Sequence, residues 1–488
     1  MWKWSTKILV VYAIAAASCG KPGNDVVFND MLPPVFPDYC DVTIPAGIAP
    51  LNFIVSNSEK SEVIIKGRTG SIIIRSGEHV RIPQGKWRRL LENNIGEDLT
   101  VTVTALTDKK WTRYRSFKIS VKSDPIDPYV AYRLIAPGYE AYSSMGIYQR
   151  ELSSFRQKPV ITNRLVRGTC MNCHSFSSGN PGRMLFHLRG DVSGTILLNE
   201  GKITKLSTKT SSTISNCIYP FWHPSGDYIA FSVNNISQVF HSVRDKRIEV
   251  FDSRSDIVIY DVRNNKLFTS SLLSSEDSFE TFPAFSPDGK SLVFCSARKV
   301  DQPTGYDKAK YSLCLISFDA ASGRLGDRID TLVSSGETGR SISFPRISPD
   351  GKQLVFTLSD YGNFPIWHRD ADLYSLDLST NRFRNIEEIN SLESDSYHSW
   401  SSNSRWMIFS SRRTDGLYTR PFIAYCSSDG TFSKPFMLPL KDPGLYGESL
   451  FSYNVPEFVT GEISKDTRSL LKAIASKAKD VNFEIKAR

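Results

Sequence analysis

The sequence predicts an all-β protein, and three observations support this prediction. A strand-turn-strand pattern recurs four times, with aligned aromatic residues at Tyr219, Phe282, Phe344 and Tyr397. A region from about 41 to 121 alternates apolar and polar residues in short runs, as half-buried strands do. The chain also lacks the regular alternation of strands with helices that marks α/β folds. The fold class is therefore all-β, with a repeat architecture in the larger part of the chain.

The repeated unit is a hairpin followed by a further strand. The first three copies turn through residues that favour tight turns: Pro224-Ser-Gly226, Pro287-Asp-Gly289 and Pro349-Asp-Gly351. The fourth copy is degenerate at its turn, 402–404, but keeps the flanking strands. A unit of about 50 to 60 residues with three or four strands matches one β-propeller blade, which cannot cover its own faces. Two weaker candidates, 183–198 and 451–458, bring the expected number of blades to about six.

The alternating region predicts a small β-sandwich that precedes the propeller. Ser61–Lys66 and Leu99–Ala105 show the period of two. Pro125 and Pro128 deny backbone donors after it and mark a domain boundary. The expected organisation is a β-sandwich at 40–122, a connecting segment at 123–179, a propeller at 180–460 and a short basic C-terminal helix at 461–488.

The N-terminus predicts export and lipidation. Lys3 and Lys7 precede an apolar stretch that is too short to span a bilayer, so residues 1–18 are interpreted as a signal peptide. The run that ends in Ser18-Cys19-Gly20 resembles a bacterial lipobox, which makes Cys19 the expected lipid-attachment residue, followed by a flexible tether at 19–39. The alternative is an ordinary secretory signal that ends near a cysteine. Lipidation implies a cell-envelope protein, anchored on the periplasmic side of the outer membrane or at the cell surface.

Composition excludes several functions. Apolar residues make up 40% and charged residues 23%, as in a folded globular protein. The net charge of +9 is spread along the chain without a basic run, which argues against nucleic acid as a partner. There is no G-x-S-x-G nucleophile motif, so hydrolysis is not expected.

A C-x-x-C-H motif carries the chemistry that we expect of this chain. Cys170, Cys173 and His174 have the spacing of c-type haem attachment, in which two thiols bond to the porphyrin edge and the histidine is the proximal iron ligand. The unperiodic, polar surroundings suggest a loop. The alternatives are a structural disulfide, a thiol-redox pair and half of a zinc site. A second iron ligand is expected from the first strand after the motif, with His187 preferred over Met184; as they are three apart, they face opposite sides of a strand. The alternative is that His187 forms a hydrogen bond within its blade and the iron is five-coordinate.

The repeats resemble the TolB-like β-propeller family, whose signature is the WHPSG and SPDG hairpins, over about residues 180–460. The wider sequence resembles a bacterial lipoprotein family associated with cytochrome c, in which C-x-N-C-H-S-F precedes such a propeller. That similarity also includes 132–138, 397–400 and 415–421. The resemblance implies a lipid-anchored propeller with one haem c, for electron transfer or haem-based sensing, with a redox or envelope protein as partner. The alternative is a propeller without haem that acts as a protein- or polymer-binding scaffold.

Overall fold

The computed structural model of the protein describes most of the chain: residues 22, 25–136, 144–166, 168–241, 248–464 and 466–485. The predicted signal peptide, 1–18, and Cys19 lie outside the described residues. Among the helices that are described, none is both long and apolar enough to cross a membrane.

An N-terminal β-domain comes first. Its elements are β1 (Val26–Asn29), β2 (Val35–Phe36), β3 (Val42–Pro45), β4 (Phe53–Val55), β5 (Lys60–Lys66), β6 (Ser71–Ser76), β7 (His79–Val80), α1 (Gln84–Glu92), β8 (Asp98–Thr107), β9 (Lys110–Tyr114) and β10 (Phe117–Lys122). The larger sheet has the order β1-β9-β8-β10-β3, with β5 paired to β8 and β6, and β2-β4-β7 form a second sheet. Alternate side chains of β5 are buried, as the sequence pattern predicts.

The domain begins earlier than the sequence pattern suggests. Within the segment predicted as a tether, β1 pairs in parallel with β9 and β2 pairs with β4. The prolines that suggested a flexible segment lie outside these strands, with Pro33 and Pro34 before β2 and Pro37 after it. Proline therefore removes no donor from either ladder, and the short apolar runs between the prolines are free to pair.

The rest of the chain consists of strands, most of which follow one another in sequence order around a propeller, and of short helices. They are β11 (Tyr129–Ile135), β12 (Met145–Glu151), β13 (Gln157–Thr162), β14 (Thr169–Phe176), β15 (Arg183–Gly190), β16 (Gly194–Asn199), β17 (Lys202–Ser207), β18 (Cys217–Trp222), β19 (Tyr228–Phe240), β20 (Ile248–Asp261), β21 (Lys266–Thr269), β22 (Ser278–Phe285), β23 (Ser291–Arg298), β24 (Ser312–Asp319), β25 (Arg324–Val333), α2 (Ser335–Thr338), β26 (Ser341–Ile347), β27 (Gln353–Ser359), β28 (Asp372–Asp377), β29 (Arg382–Asn385), β30 (Asp395–Trp400), β31 (Trp406–Ser411), β32 (Arg420–Tyr425), β33 (Phe436–Met437), α3 (Leu445–Glu448), β34 (Ser452–Val459), α4 (Thr467–Ala475), β35 (Lys479–Asp480) and β36 (Asn482–Ile485).

These strands form six blades in the described part of the chain. From the innermost strand outward, the blades are β34-β11-β12-β13, β14-β15-β16-β17, β18-β19-β20-β21, β22-β23-β24-β25, β26-β27-β28-β29 and β30-β31-β32-β33, here numbered 1 to 6. Blade 1 takes three strands from the start of the propeller and its innermost strand, β34, from the end. This pairing closes the ring, so the all-β propeller predicted from the repeats is confirmed.

The propeller also begins earlier than the repeats suggest. The segment predicted as a connection, 123–179, contains β11, β12, β13 and β14. Its strands escaped the pattern because residues of β11 and β14 are buried on both faces and therefore do not alternate in polarity. They also lack the Pro-Ser-Gly or Pro-Asp-Gly turn that identifies three of the later blades.

Each blade has the same irregularity in its innermost strand. One residue per blade has a left-handed backbone conformation, and the next residue shares with it a single partner on the neighbouring strand, which defines a β-bulge. The bulge residues are Val455, Cys173, Tyr219, Phe282, Phe344 and Tyr397 in blades 1 to 6, with φ between 48° and 52°. Four of them are the aromatic residues that aligned the sequence repeats. The motif Cys170–His174 is therefore part of a fifth, divergent copy of the repeat.

The C-terminal segment covers the outside of the ring. Helix α4 is capped by Asp466 and buries Leu470 and Ile474 against blade 2. The predicted helix thus exists but is short, because β35 and β36 then pair in parallel with the outer strands of blades 2 and 3. These additions protect two sheet edges that would otherwise be open.

Candidate functional site

The six bulges surround a central cavity of about 1100 Å³. Tyr219, Phe282, Phe344 and Tyr397 form an arc on its wall, and their ring centroids are separated in turn by 4.5, 4.1 and 4.8 Å. The arc is open where blades 1 and 2 present the smaller Val455 and Cys173. The cavity is therefore asymmetric, with an aromatic wall on one side and a recess at the C-x-x-C-H motif.

The motif lies on a strand, and the expected loop is absent there because the motif is a copy of the blade repeat. Residues three apart on a regular strand face opposite sides, but the bulge at Cys173 shifts the alternation by one residue. As a result Cys170, Cys173 and His174 all line the cavity. Both cysteines are buried and neither is in a disulfide.

His174 is an imidazole without a well-formed hydrogen bond. It is 2% exposed, and among the described residues neither ring nitrogen makes a hydrogen bond of good geometry; a weak polar contact with the backbone of Val455 is all that opposes the lowering of its pKa. Burial, together with the positive charge of Arg133, lowers the pKa of His174 to about 3, so the ring is neutral near pH 7. A buried polar ring of this kind is costly unless a ligand completes it.

His398 occupies the equivalent position in blade 6 and serves as an internal comparison. It also follows the bulge residue of its strand and is 3% exposed. Its Nε2–H donates a hydrogen bond of 2.8 Å to the carbonyl oxygen of Val355 on the neighbouring blade. The blade geometry therefore allows a histidine here to form a hydrogen bond through Nε2, although Nδ1 of His398 also lacks a partner among the described residues; His174 differs in that neither nitrogen forms a hydrogen bond of good geometry.

The thiol of Cys170 is in a mixed electrostatic environment. Burial raises the pKa of Cys170, while Arg133 and Arg189 act in the opposite direction. Arg189 stands directly opposite Cys170 in the β14–β15 ladder, so the two side chains share one face of the blade. The thiol is protonated near neutral pH, with two cations beside it.

The predicted second iron ligands lie elsewhere. Met184 and His187 are both on β15, and neither is among the residues that line the cavity. Met184 belongs to a core cluster between blades 1 and 2. His187 is buried, with Nδ1 at 3.2 Å from Oγ1 of Thr195, and burial lowers its pKa to about 3. Since β15 is the second strand from the axis, its side chains at these positions face neighbouring blades, and the structure does not bring them to His174.

His241 does line the cavity. It follows β19, which together with β20 forms a hairpin longer than those of the other blades. Ile236, Gln238 and Val250 of this hairpin also line the cavity. Nε2 of His241 is buried and lacks a hydrogen-bond partner among the described residues. Nothing in the local sequence pattern around His241 indicates that it faces a cavity.

Four arginines on the cavity wall were not anticipated from the sequence either: Arg133, Arg189, Arg346 and Arg412. The acidic lining residues are Asp127 and Glu457. Burial raises the pKa of Glu457 to about 8, although the charge of Arg346 opposes the shift. The lining is therefore net cationic near pH 7. The only signal in the sequence was that Arg133 belongs to the run Tyr132–Gly138, which resembles the cytochrome c-associated family.

The described residues do not form a metal site that consists of protein side chains alone. No group of three or more histidine, cysteine, aspartate or glutamate side chains there lies close enough to hold a metal ion. Cys170, Cys173 and His174 face one cavity without converging on a point.

Comparisons with known proteins complete the description. No protein-family profile matches the sequence, and no curated protein sequence matches it. Similar solved structures include an oligogalacturonate lyase in complex with manganese (14% identity, TM-score 0.37, covering 63% of this chain and 73% of that one). Prolyl oligopeptidase B from Galerina marginata is also similar (10% identity, TM-score 0.36, covering 70% of this chain and 42% of that one). So is the tricorn protease (12% identity, TM-score 0.38, covering 71% of this chain and 33% of that one). The chain thus spans less than half of either peptidase. The six closed blades of the described chain identify the protein as an all-β chain with a β-propeller fold.

Proposed function

We propose that this protein is an exported, membrane-anchored lipoprotein of the TolB-like propeller type that carries one covalently attached c-type haem in its central cavity, for electron transfer or haem-based sensing. The observation that carries the proposal is the buried ring of His174, neither of whose nitrogens makes a hydrogen bond of good geometry, beside two free thiols on the same cavity. A cavity of about 1100 Å³ is at the upper end of the sizes that hold cofactors.

The residues present fit this group chemically. Each thiol, of Cys170 and of Cys173, would add across one vinyl C=C bond: the sulfur bonds to one carbon and the thiol hydrogen moves to the other. The addition needs no oxidant or reductant. His174 is neutral near pH 7, so it has a nitrogen lone pair available for iron, and only a weak contact with the backbone of Val455 engages the ring. When bound, a haem supplies an iron that exchanges single electrons, with a potential set by its ligands and surroundings.

Lipid attachment at Cys19 belongs to the same proposal. It rests on the lipobox-like sequence and on the short apolar stretch before it. A multiply acylated cysteine holds a protein on a membrane stably, because two or more chains are needed for that. The anchored propeller would then present its cavity to soluble or membrane-bound redox partners of the envelope.

A second candidate function is supported by the position of the motif in the repeat. Cys173 occupies the bulge position of the blade, so the motif also has a purely architectural explanation. In that case the protein is a propeller without haem that binds a protein or polymer ligand. The net cationic lining favours a ligand with negative charge.

Haem staining separates the two functions. The chain is expressed with a cytochrome c maturation system, and a denaturing gel is stained for haem. We expect a stained band that is lost in the Cys170→Ala, Cys173→Ala double variant. Cys217→Ala is the matched control, because Cys217 is equally buried but does not line the cavity; its band should remain. An unstained wild-type band, next to a control cytochrome that stains, would exclude covalent haem.

A further inference from the structure

Two arginines beside the C-x-x-C-H motif have no counter-charge among the residues that the structure describes. Arg133, on β11 of blade 1, is 9% exposed, and its Nη1 donates to Oδ1 of Asn172 at 2.5 Å. Its Nε has no acceptor, and it makes no ion pair among the described residues. Asn172 is neutral and also accepts a hydrogen bond from the backbone N–H of Cys173. A buried guanidinium with only a neutral acceptor is poorly compensated.

Arg189 is the second of these arginines. It is half-buried at the end of β15 and lines the cavity opposite Cys170. Within the described part of the chain its side chain has no ion pair and no hydrogen bond, although its backbone belongs to the β14–β15 ladder. Arg133 and Arg189 both act on the pKa of Cys170, so the two guanidinium groups are near the same thiol.

The other two arginines of the cavity are already engaged. Arg346 lies over the ring of Phe221, 4.9 Å from its centroid, and its Nη1 donates to the carbonyl oxygen of Pro345 at 2.9 Å. Arg412 donates Nε–H to the carbonyl oxygen of Ile366 at 2.6 Å and stacks on Trp367. Unused binding capacity for an anion is therefore concentrated at the motif.

We infer that Arg133 and Arg189 form a carboxylate-binding subsite, which holds the acidic groups of a flat, largely apolar ligand whose body lies along the aromatic arc. Guanidinium groups match carboxylates in geometry, and the pairing is strong where water is excluded. The aromatic arc from Tyr219 to Tyr397 supplies the apolar wall. The inference rests on the proposed function where the carboxylates are porphyrin propionates, but the subsite itself requires neither iron nor thioether bonds.

The test uses the full chain produced without a haem maturation system. Binding of iron-free protoporphyrin IX is followed by quenching of tryptophan fluorescence, since Trp222, Trp367 and Trp400 line the cavity. Its dimethyl ester, which has no charged carboxylate, is the first comparison. We expect the diacid to bind at least tenfold more tightly than the diester. Arg133→Gln and Arg189→Gln should each weaken diacid binding about tenfold and leave diester binding unchanged.

Arg263→Gln is the matched control, because Arg263 forms an exposed ion pair with Asp227 and does not line the cavity; it should bind the diacid as wild type does. Should Arg133→Gln fail to fold, Arg133→Lys and the half-exposed Arg189→Gln keep the test available. Equal binding of diacid and diester by the wild-type chain, or diacid binding unaffected by either substitution, overturns the subsite.

A third ligand, 1-naphthoate, identifies the source of the carboxylate. Arginine-dependent binding of both ligands supports a general carboxylate subsite, and arginine-dependent binding of the porphyrin alone supports propionates. A chain that fails haem staining but shows the arginine-dependent preference for the diacid refutes covalent haem and keeps the subsite. A chain that stains for haem but shows no arginine-dependent preference for the diacid supports covalent haem and refutes the subsite.

Discussion

Replacing His174 should stabilise the chain without cofactor, although the residue is fully buried. In His174→Leu a buried ring nitrogen without a hydrogen-bond partner is removed, and an unsatisfied buried polar group costs about 1–3 kcal/mol. At pH 7.5 we therefore expect the free energy of unfolding to rise by about 1–3 kcal/mol. The equivalent change in blade 6, His398→Leu, should lower it by about 1–3 kcal/mol, because the carbonyl oxygen of Val355 loses its donor.

The same comparison predicts a dependence on pH. The folded state keeps His174 neutral with a pKa of about 3, whereas the unfolded chain binds a proton below about pH 6.5. The wild-type chain therefore loses stability as pH falls through 6.5, by about 2.7 kcal/mol at pH 4.5 from this residue alone. His174→Leu lacks this loss, so its advantage over wild type should grow by that amount between pH 7.5 and 4.5.

Guanidinium unfolding at several pH values, followed by tryptophan fluorescence, measures both effects on protein produced without haem. Met184→Leu is a control that changes a buried side chain without removing an ionisable group, and its difference from wild type should not vary with pH. A destabilised His174→Leu at pH 7.5, or a difference from wild type that stays constant down to pH 4.5, would refute the description of His174 as a neutral ring without a well-formed hydrogen bond.

Three further predictions concern the anchor, the iron and a buried carboxylate. Cys19→Ala should release the protein from the membrane fraction and abolish palmitate labelling, and a labelled, membrane-bound variant would contradict the anchor. In haem-loaded protein, His241→Ala should convert a low-spin visible spectrum to a high-spin one, whereas His187→Ala should not. The reason is that His241 lines the cavity and His187 does not. The opposite result would restore His187 as the expected second iron ligand. Burial raises the pKa of Asp252 to about 7, so wild-type stability falls as pH rises from about 4 to 7. Asp252→Asn should gain about 4 kcal/mol relative to wild type over that range in guanidinium unfolding, and parallel pH profiles would count against it.

The buried carboxylate of Asp252 shows why such groups escape sequence reasoning. Its Oδ2 accepts hydrogen bonds from Asn234 at 2.6 Å and from Asn363 at 2.5 Å. Asn363 comes from a different blade, so the three residues are far apart in sequence. In the sequence each is an ordinary polar residue near a strand, and only the packing of blade 3 against blade 5 turns them into one buried network.

The sequence by itself determined the class of the fold, because its signals are local. A turn such as Pro287-Asp-Gly289 between two β-forming runs specifies a hairpin through its own backbone preferences. Four such hairpins at similar spacing imply a ring, since each blade has to bury its faces against the next. The C-x-x-C-H spacing likewise identified Cys170, Cys173 and His174 as candidate functional residues.

Only the tertiary structure decided which way the side chains of these three residues point. The bulge at Cys173 turns both thiols and His174 to the axis, and it is visible as a repeat feature only after the strands are paired. Arg133 reaches the same cavity from blade 1, which closes only because β34 returns from the far end of the chain. Met184 and His187 are close to the motif in sequence but face neighbouring blades. Proximity along the chain sets hairpins, whereas the register and closure of the whole ring determine which side chains share the cavity.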